Sequence, residues 1–166
     1  MAQVLVPPKL VEVAGPVIFL AGPIQGTDDW QKRAIDLFAE EPVTLADPRR
    51  DYLDEAFDYN AQVDWETHYL RRAAQDGCIL FWLANETTHS CERAYAQTTR
   101  FELAEWKVRH ERDGVNLVVG IDSKFSGARY IRRRLSQDCP NVPICESLGE
   151  TCAAAIGLLS TTARAV

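Results

Sequence analysis

Two stretches of this chain, Val17-Ile18-Phe19-Leu20-Ala21 and Cys78-Ile79-Leu80-Phe81-Trp82-Leu83, are apolar at every position. A strand with one wet face alternates apolar and polar residues, so runs without alternation belong to strands covered on both faces. Strands of that kind sit in parallel sheets wrapped by helices, and the chain must then supply a helix between successive strands.

It does so. Strands are expected at 17–21, 43–46, 77–83, 115–121 and 142–145, and helices at 28–40, 62–75, 100–112, 128–137 and 148–159. Gly22-Pro23, Pro42, Asp47-Pro48 and Asp113-Gly114 punctuate them. The segment 49–60 mixes acidic and aromatic residues without a clean period and reads as a loop with at most a helical turn. Residues 1–16, with Pro7-Pro8 and Gly15-Pro16, read as an extended leader ahead of one domain at 17–166. The expected fold is α/β and flavodoxin-like (Rossmann-like): a five-stranded parallel sheet of order 2-1-3-4-5 with helices on both faces. In such folds ligands bind beyond the carboxyl ends of the strands, near the point where strand order reverses. The residues after Ala21, Ala46 and Leu83 are therefore the ones to inspect.

Charge and cysteine usage narrow the partners. A net charge of −6 argues against nucleic acid, whose phosphates call for a basic surface, and suits a small uncharged ligand. The run Arg129, Arg132, Arg133, Arg134 reads as a solvated helix face. No apolar stretch is long enough to span a bilayer, and the start of the chain lacks a secretory pattern. Five scattered cysteines without a Cys-x-x-Cys pair point to reduced thiols and a cytoplasmic setting. His68, His89 and His110 match no zinc spacing, and neither a metal nor an organic cofactor is expected.

After the first strand, Gly22-Pro23-Ile24-Gln25-Gly26-Thr27 allows close backbone approach to a ligand, yet its glycine spacing is neither a Walker loop nor a dinucleotide fingerprint. It serves equally as a tight turn capped by Asp28. After the second strand, Asp47-Pro48-Arg49-Arg50 offers Asp47 and Arg49 as ligand contacts, or merely a charged turn. Beyond the third strand, Thr99 and Glu102 have the spacing of a capping box, with Thr99 as N-cap. A carboxylate in the first helical turn is kept ionised by the helix dipole, which suits a nucleophile equally well. Asp64 and His68 lie four apart on the helix before the third apolar strand and share a face. Phe19, Trp65 and Trp82 are able to stack on a base or to pack in the core. No nucleophile elbow or Cys–His motif points to a serine or cysteine hydrolase.

The blocks Val17-Ile18-Phe19-Leu20-Ala21-Gly22-Pro23-Ile24, Asp47-Pro48-Arg49-Arg50, Asp64-Trp65-Glu66, Ile79-Leu80-Phe81-Trp82-Leu83 and Phe101-Glu102-Leu103, in that order, resemble the nucleoside 2-deoxyribosyltransferase family, and in particular its 2-deoxyribosyltransferase-like branch. The resemblance implies retaining, two-step transfer of 2-deoxyribose between bases. Glu102 matches the family's nucleophile, with Ala104 where a glycine is usual. The family's acid is an Asp eight residues before the Asp that opens the following strand; counted from Asp76, that position holds His68, and His68, Asp64 and Glu66 are each able to serve. Phe19 matches the aromatic of the family's first strand, without its hydroxyl. The same resemblance implies a homo-oligomer, dimer to hexamer, in which a neighbouring loop reaches the 5'-hydroxyl; the matching segment is 120–125, with Asp122 as the contact.

The expected partners are a 2'-deoxynucleoside and a free nucleobase, with Glu102, His68 and Asp64 as catalytic residues. Phe19, Gly22, Pro23, Ile24, Asp47, Arg49, Glu66 and Asp122 are the expected substrate contacts. Two rivals share the fold. One is a 2'-deoxynucleoside 5'-monophosphate N-glycosidase, which should carry a Gly, Ser and Arg phosphate nest where this chain has Pro-Ile-Gln-Gly-Thr-Asp-Asp. The other is a non-catalytic nucleoside-sensing module.

Overall fold

The structure is a computed structural model that describes residues 1–50 and 57–163; part of the acidic and aromatic loop expected at 49–60 therefore lies outside the described residues. Its elements are β1 (Gln3–Leu5), β2 (Val17–Ala21), α1 (Trp30–Leu37), β3 (Thr44–Ala46), α2 (Tyr59–Asp76) and β4 (Cys78–Leu83), followed by α3 (Gln97–Asp113), β5 (Leu117–Ile121), α4 (Ala128–Asp138), β6 (Ile144–Cys145) and α5 (Leu148–Ala163). The strands form one parallel sheet of order β1-β3-β2-β4-β5-β6.

The sheet therefore has six strands where five were expected. The extra one comes from the leader: Gln3–Leu5 pairs with Thr44–Ala46 and occupies the edge. Its pattern is too short and too exposed to register as a buried strand, because an edge strand of three residues needs only backbone partners. The rest of the leader crosses α2. Lys9 O accepts from Trp65 Nε1 at 3.0 Å, and the Tyr69 hydroxyl accepts from Val11 N at 2.8 Å and donates to Val11 O at 3.0 Å.

The apolar runs divide by the period of two that a strand imposes. Phe19, Ile79, Phe81, Leu83 and Val119 face α2, α3 and α4, packing with Trp65, Tyr69, Trp106 and Leu135. Ile18, Leu20, Leu80, Trp82 and Val118 face α1 and α5, packing with Trp30, Phe38, Cys152 and Ala155. Two hydrophobic layers result, one on each face of the sheet.

Local signals at two helix starts needed tertiary correction. Asp29, one residue later than expected, caps α1 by accepting from Lys32 N at 3.0 Å. The capping box assigned to Thr99 and Glu102 does not form. α3 starts at Gln97, after Ala96 in the left-handed region (φ 55°), and Arg100 N already donates to Ala96 O. Thr99 is buried within the helix, and Glu102 falls in its second turn.

Candidate active site

Beyond the carboxyl ends of β2 and β3, a cleft of about 380 Å³ opens between the sheet, α2 and the start of α3. It lies where the chain steps from β2 outward to β3 on one side and, through α2, to β4 on the other, the switch point at which α/β sheets hold ligands. Its volume is in the range of small-molecule pockets.

The floor is Phe19 and Ala21, which the strand period turns toward the α2 face. One wall is Gly22, Pro23 and Ile24, stiffened from below because Trp30 Nε1 donates to Pro23 O at 2.8 Å and a side chain at Gly22 would strike the Trp30 ring. The opposite wall is Gln62 and Glu66 of α2 together with Thr98, Thr99 and Glu102 of α3. Arg50 and Phe57 stack on each other at the mouth.

Two carboxyl groups, of Glu66 and Glu102, line the cleft. Glu102 is pushed up to about 8, first by burial and then by the charges of Glu66 and Glu105. Glu66 is also raised by burial, while a hydrogen bond from Gln62 and the charge of Arg50 hold it back. The expectation that the helix dipole keeps Glu102 ionised is thus reversed. In the second turn the dipole has faded, and desolvation beside a second carboxylate dominates. Two interacting carboxyls whose affinities differ hold one proton between them over a broad pH range, the arrangement that separates an acid from a base.

The other residues singled out in the sequence fall into place unevenly. Phe19, Gly22, Pro23, Ile24, Glu66 and Glu102 meet in the cleft. Asp64 and His68 do not line it. Each is two residues from Glu66, about 200° round the helix, and both are exposed, with the His68 ring edge-on to Tyr69 at 4.8 Å. Asp47 and Arg49 also stand behind the cleft wall. The buried Asp47 carboxylate accepts from Arg49 N and Nε at 3.0 and 3.1 Å and from Nη2 at 2.7 Å, and Arg49 Nη1 pairs with Asp29. Asp122 accepts from Lys124 N at 2.9 Å in the turn after β5, outside the cleft lining. Of the aromatics, Trp65 is buried under the leader and Trp82 faces the other layer, leaving Phe19 in the cleft.

Sequence reasoning missed Gln62, Arg50 and Tyr95. Gln62 precedes Glu66 by one helical turn, a spacing that signals a shared face. Tyr95 sits in a polar loop with no period. Its ring lines the cleft and its hydroxyl donates to Ala84 O at 2.7 Å, while Thr87 N donates to Gly26 O at 2.8 Å, so two site loops are joined. Only the folded chain brings these together. Among the described residues no group of His, Cys, Asp or Glu is placed to hold a metal ion, and no helix is long and apolar enough to cross a membrane.

A family profile described as "Nucleoside 2-deoxyribosyltransferase like" matches residues 15–122, from just before β2 to just after β5. No curated protein matches the chain.

Proposed function

This chain belongs to the nucleoside 2-deoxyribosyltransferase-like family, and from that premise we propose that it moves 2-deoxyribose between nucleobases with retention, through a covalent deoxyribosyl–Glu102 intermediate. The observation that carries the reading is the meeting of Glu66 and Glu102 in one partly apolar cleft at the sheet's switch point. At rest the single proton favours Glu102, the group of higher proton affinity; the reactive tautomer is the less populated one, with the proton on Glu66 and the charge on Glu102. The Glu102 carboxylate attacks C1' as the C1'–N bond breaks through an oxocarbenium-like transition state. The departing base takes its electron pair and the Glu66 proton. An incoming base then attacks C1' from the opposite face, the C1'–Glu102 bond breaks, and Glu66 recovers a proton from the acceptor nitrogen. Phe19 offers the aromatic face for the base or sugar, and the clamped turn at Gly22-Pro23 keeps the cleft shaped. We further propose a cytoplasmic homo-oligomer built of this one domain, in which the turn bearing Asp122 serves a neighbouring subunit's site.

Arg50 and Arg93 line the same cleft and favour a second reading, hydrolysis of 2'-deoxynucleoside 5'-monophosphates with water as acceptor. Incubation with 2'-deoxyinosine, with and without adenine, separates the two. Deoxyadenosine formed only when adenine is present supports transfer. Hypoxanthine released from deoxyinosine 5'-monophosphate regardless of adenine supports the hydrolase. No product from purine, pyrimidine or monophosphate donors rejects an enzyme and leaves a nucleoside-binding module.

The one-proton pair sets the pH dependence. The free enzyme has the required proton from above the ordinary carboxylate range, where Glu66 ionises, up to about pH 8, where Glu102 loses the last one. kcat/KM is therefore expected to be bell-shaped with its alkaline limb near 8. His68→Gln should leave that limb in place and lower kcat/KM by no more than about twofold, since the exposed imidazole lies across α2 from the cleft. An alkaline limb that disappears in His68→Gln would return the acid role to His68.

A further inference from the structure

We propose that Gln62 is a positioning residue that divides the labour of the Glu66 carboxyl, holding Oε1 as a fixed acceptor so that the proton for the departing base resides on Oε2. The inference rests on the reading of Glu66 as the acid.

An amide nitrogen carries two hydrogens, and both are committed. Gln62 Nε2 donates to Pro48 O at 2.9 Å and to Glu66 Oε1 at 2.7 Å. The orientation of the amide is fixed by chemistry, because the Pro48 carbonyl only accepts and so must face the nitrogen. The carbonyl oxygen of a protonated carboxyl accepts more strongly than its hydroxyl oxygen, so the Gln62 contact to Oε1 favours the hydrogen on Oε2. A carboxyl free to rotate would spend its proton on either oxygen; in this one the Gln62 contact distinguishes the two.

The anchor behind Gln62 is firm. Pro48 is buried and its φ is locked by its ring. Its neighbour Asp47 is buried with its carboxylate held by Arg49, which reaches on to Asp29 at the cap of α1. Asp47 and Arg49 thus act on Glu66 from outside the cleft, through Pro48 and Gln62. Among the described residues, Arg50 from the segment after β3 and Glu102 from α3 are coupled to Glu66 by charge, Glu105 acts in turn on Glu102, and Arg93 lines the same cleft.

Gln62→Met keeps the length of the side chain and removes both donors. With glutamate labelled at its carboxyl carbon and the Glu66 signal assigned by Glu66→Gln, NMR titration reads the result without substrate. The Glu66 midpoint is expected to rise by about one pH unit in Gln62→Met, because its charged form loses a hydrogen bond. The Glu102 midpoint should fall, since the carboxyl beside it is charged over less of the range. For transfer from 2'-deoxyinosine to adenine, the acid limb should follow Glu66 upward with KM within about twofold, and kcat should drop several-fold, the lost orientation of the carboxyl outweighing the larger share of the tautomer with its proton on Glu66. Gln62→Glu, which has at most one hydrogen for two acceptors, should move Glu66 in the same direction and serves if the Met variant folds poorly. An unmoved Glu66 midpoint in a folded variant overturns the proposal, as does a lowered kcat with an unshifted acid limb. Absence of transfer in the wild-type protein strikes the functional reading instead, and the titration still reads the Gln62 contact.

Discussion

Glu102→Gln is expected to lower the rate of deoxyribosyl transfer by at least about 10³-fold while making the protein more stable at alkaline pH. The loss follows from the proposed chemistry: a neutral amide of the same shape cannot form the ester to C1', and nucleophile removals carry penalties of this order or more. The gain follows from linkage. Glu102 is raised from the ordinary carboxylate range to about 8 by burial, by Glu66 and by Glu105. The folded protein therefore binds a proton that the unfolded chain has already released between those limits. The sign is that of a raised group: its stabilising contribution is complete below the unfolded value and is lost as pH rises through about 8. A shift of this size corresponds to roughly 3–5 kcal/mol of differential stability as an upper range, reduced where water reaches the carboxyl.

Glu102→Gln has no charge to bury, so it escapes that loss. Thermal melting at pH 5 should give similar midpoints for the two proteins. At pH 9 the variant should melt about 5–10 °C higher. Equal midpoints at pH 9 would mean that Glu102 ionises without cost in the folded state, and the proton accounting for the pair would have to be abandoned. The variant thus separates site chemistry from scaffold, because a residue kept only for helix capping would lower stability when replaced.

Gly77→Ala should be the most damaging of the glycine-to-alanine substitutions, costing at least about 3 kcal/mol. Gly77 closes α2, with its N–H donating to Ala73 O at 3.0 Å, and its carbonyl accepts from Asn116 Nδ2 at 3.0 Å before the chain enters β4. A methyl group there would be driven into the backbone of Val17, which begins the adjacent strand β2. Backbone of a central strand cannot rotate aside as a side chain can, so β2 and β4 would have to separate where they pair. Gly114→Ala is the control. Gly114 has φ 73° with open space around its missing Cβ, so alanine there meets only the conformational penalty of about 1 kcal/mol. Urea unfolding should show Gly77→Ala displaced from wild type by several times the Gly114→Ala shift. Equal effects would mean that the Val17 contact relaxes.

The sequence by itself determined the α/β class and its parallel sheet, but not the number of strands in that sheet. Unbroken apolar runs such as 17–21 and 78–83 permit only a strand buried on two faces, and the helices between them force a parallel sheet, because these constraints are local in the chain and read from periodicity. Strand ends and helix starts, together with the family resemblance, also singled out Phe19, Gly22, Pro23, Ile24, Glu66 and Glu102, and these residues line one cleft. The short edge strand Gln3–Leu5 escaped because pairing at an edge is made by backbone, which carries no side-chain signature. The tertiary structure alone decided which face of α2 looks into the cleft: Glu66 with Gln62, and not Asp64 with His68, although both pairs have the same spacing. It likewise moved the start of α3 forward to Gln97 and turned Glu102 from a capping residue near a helix dipole into a desolvated carboxyl beside a second one. Proton affinity depends on the charges and solvent around a group in three dimensions, and a linear pattern contains neither.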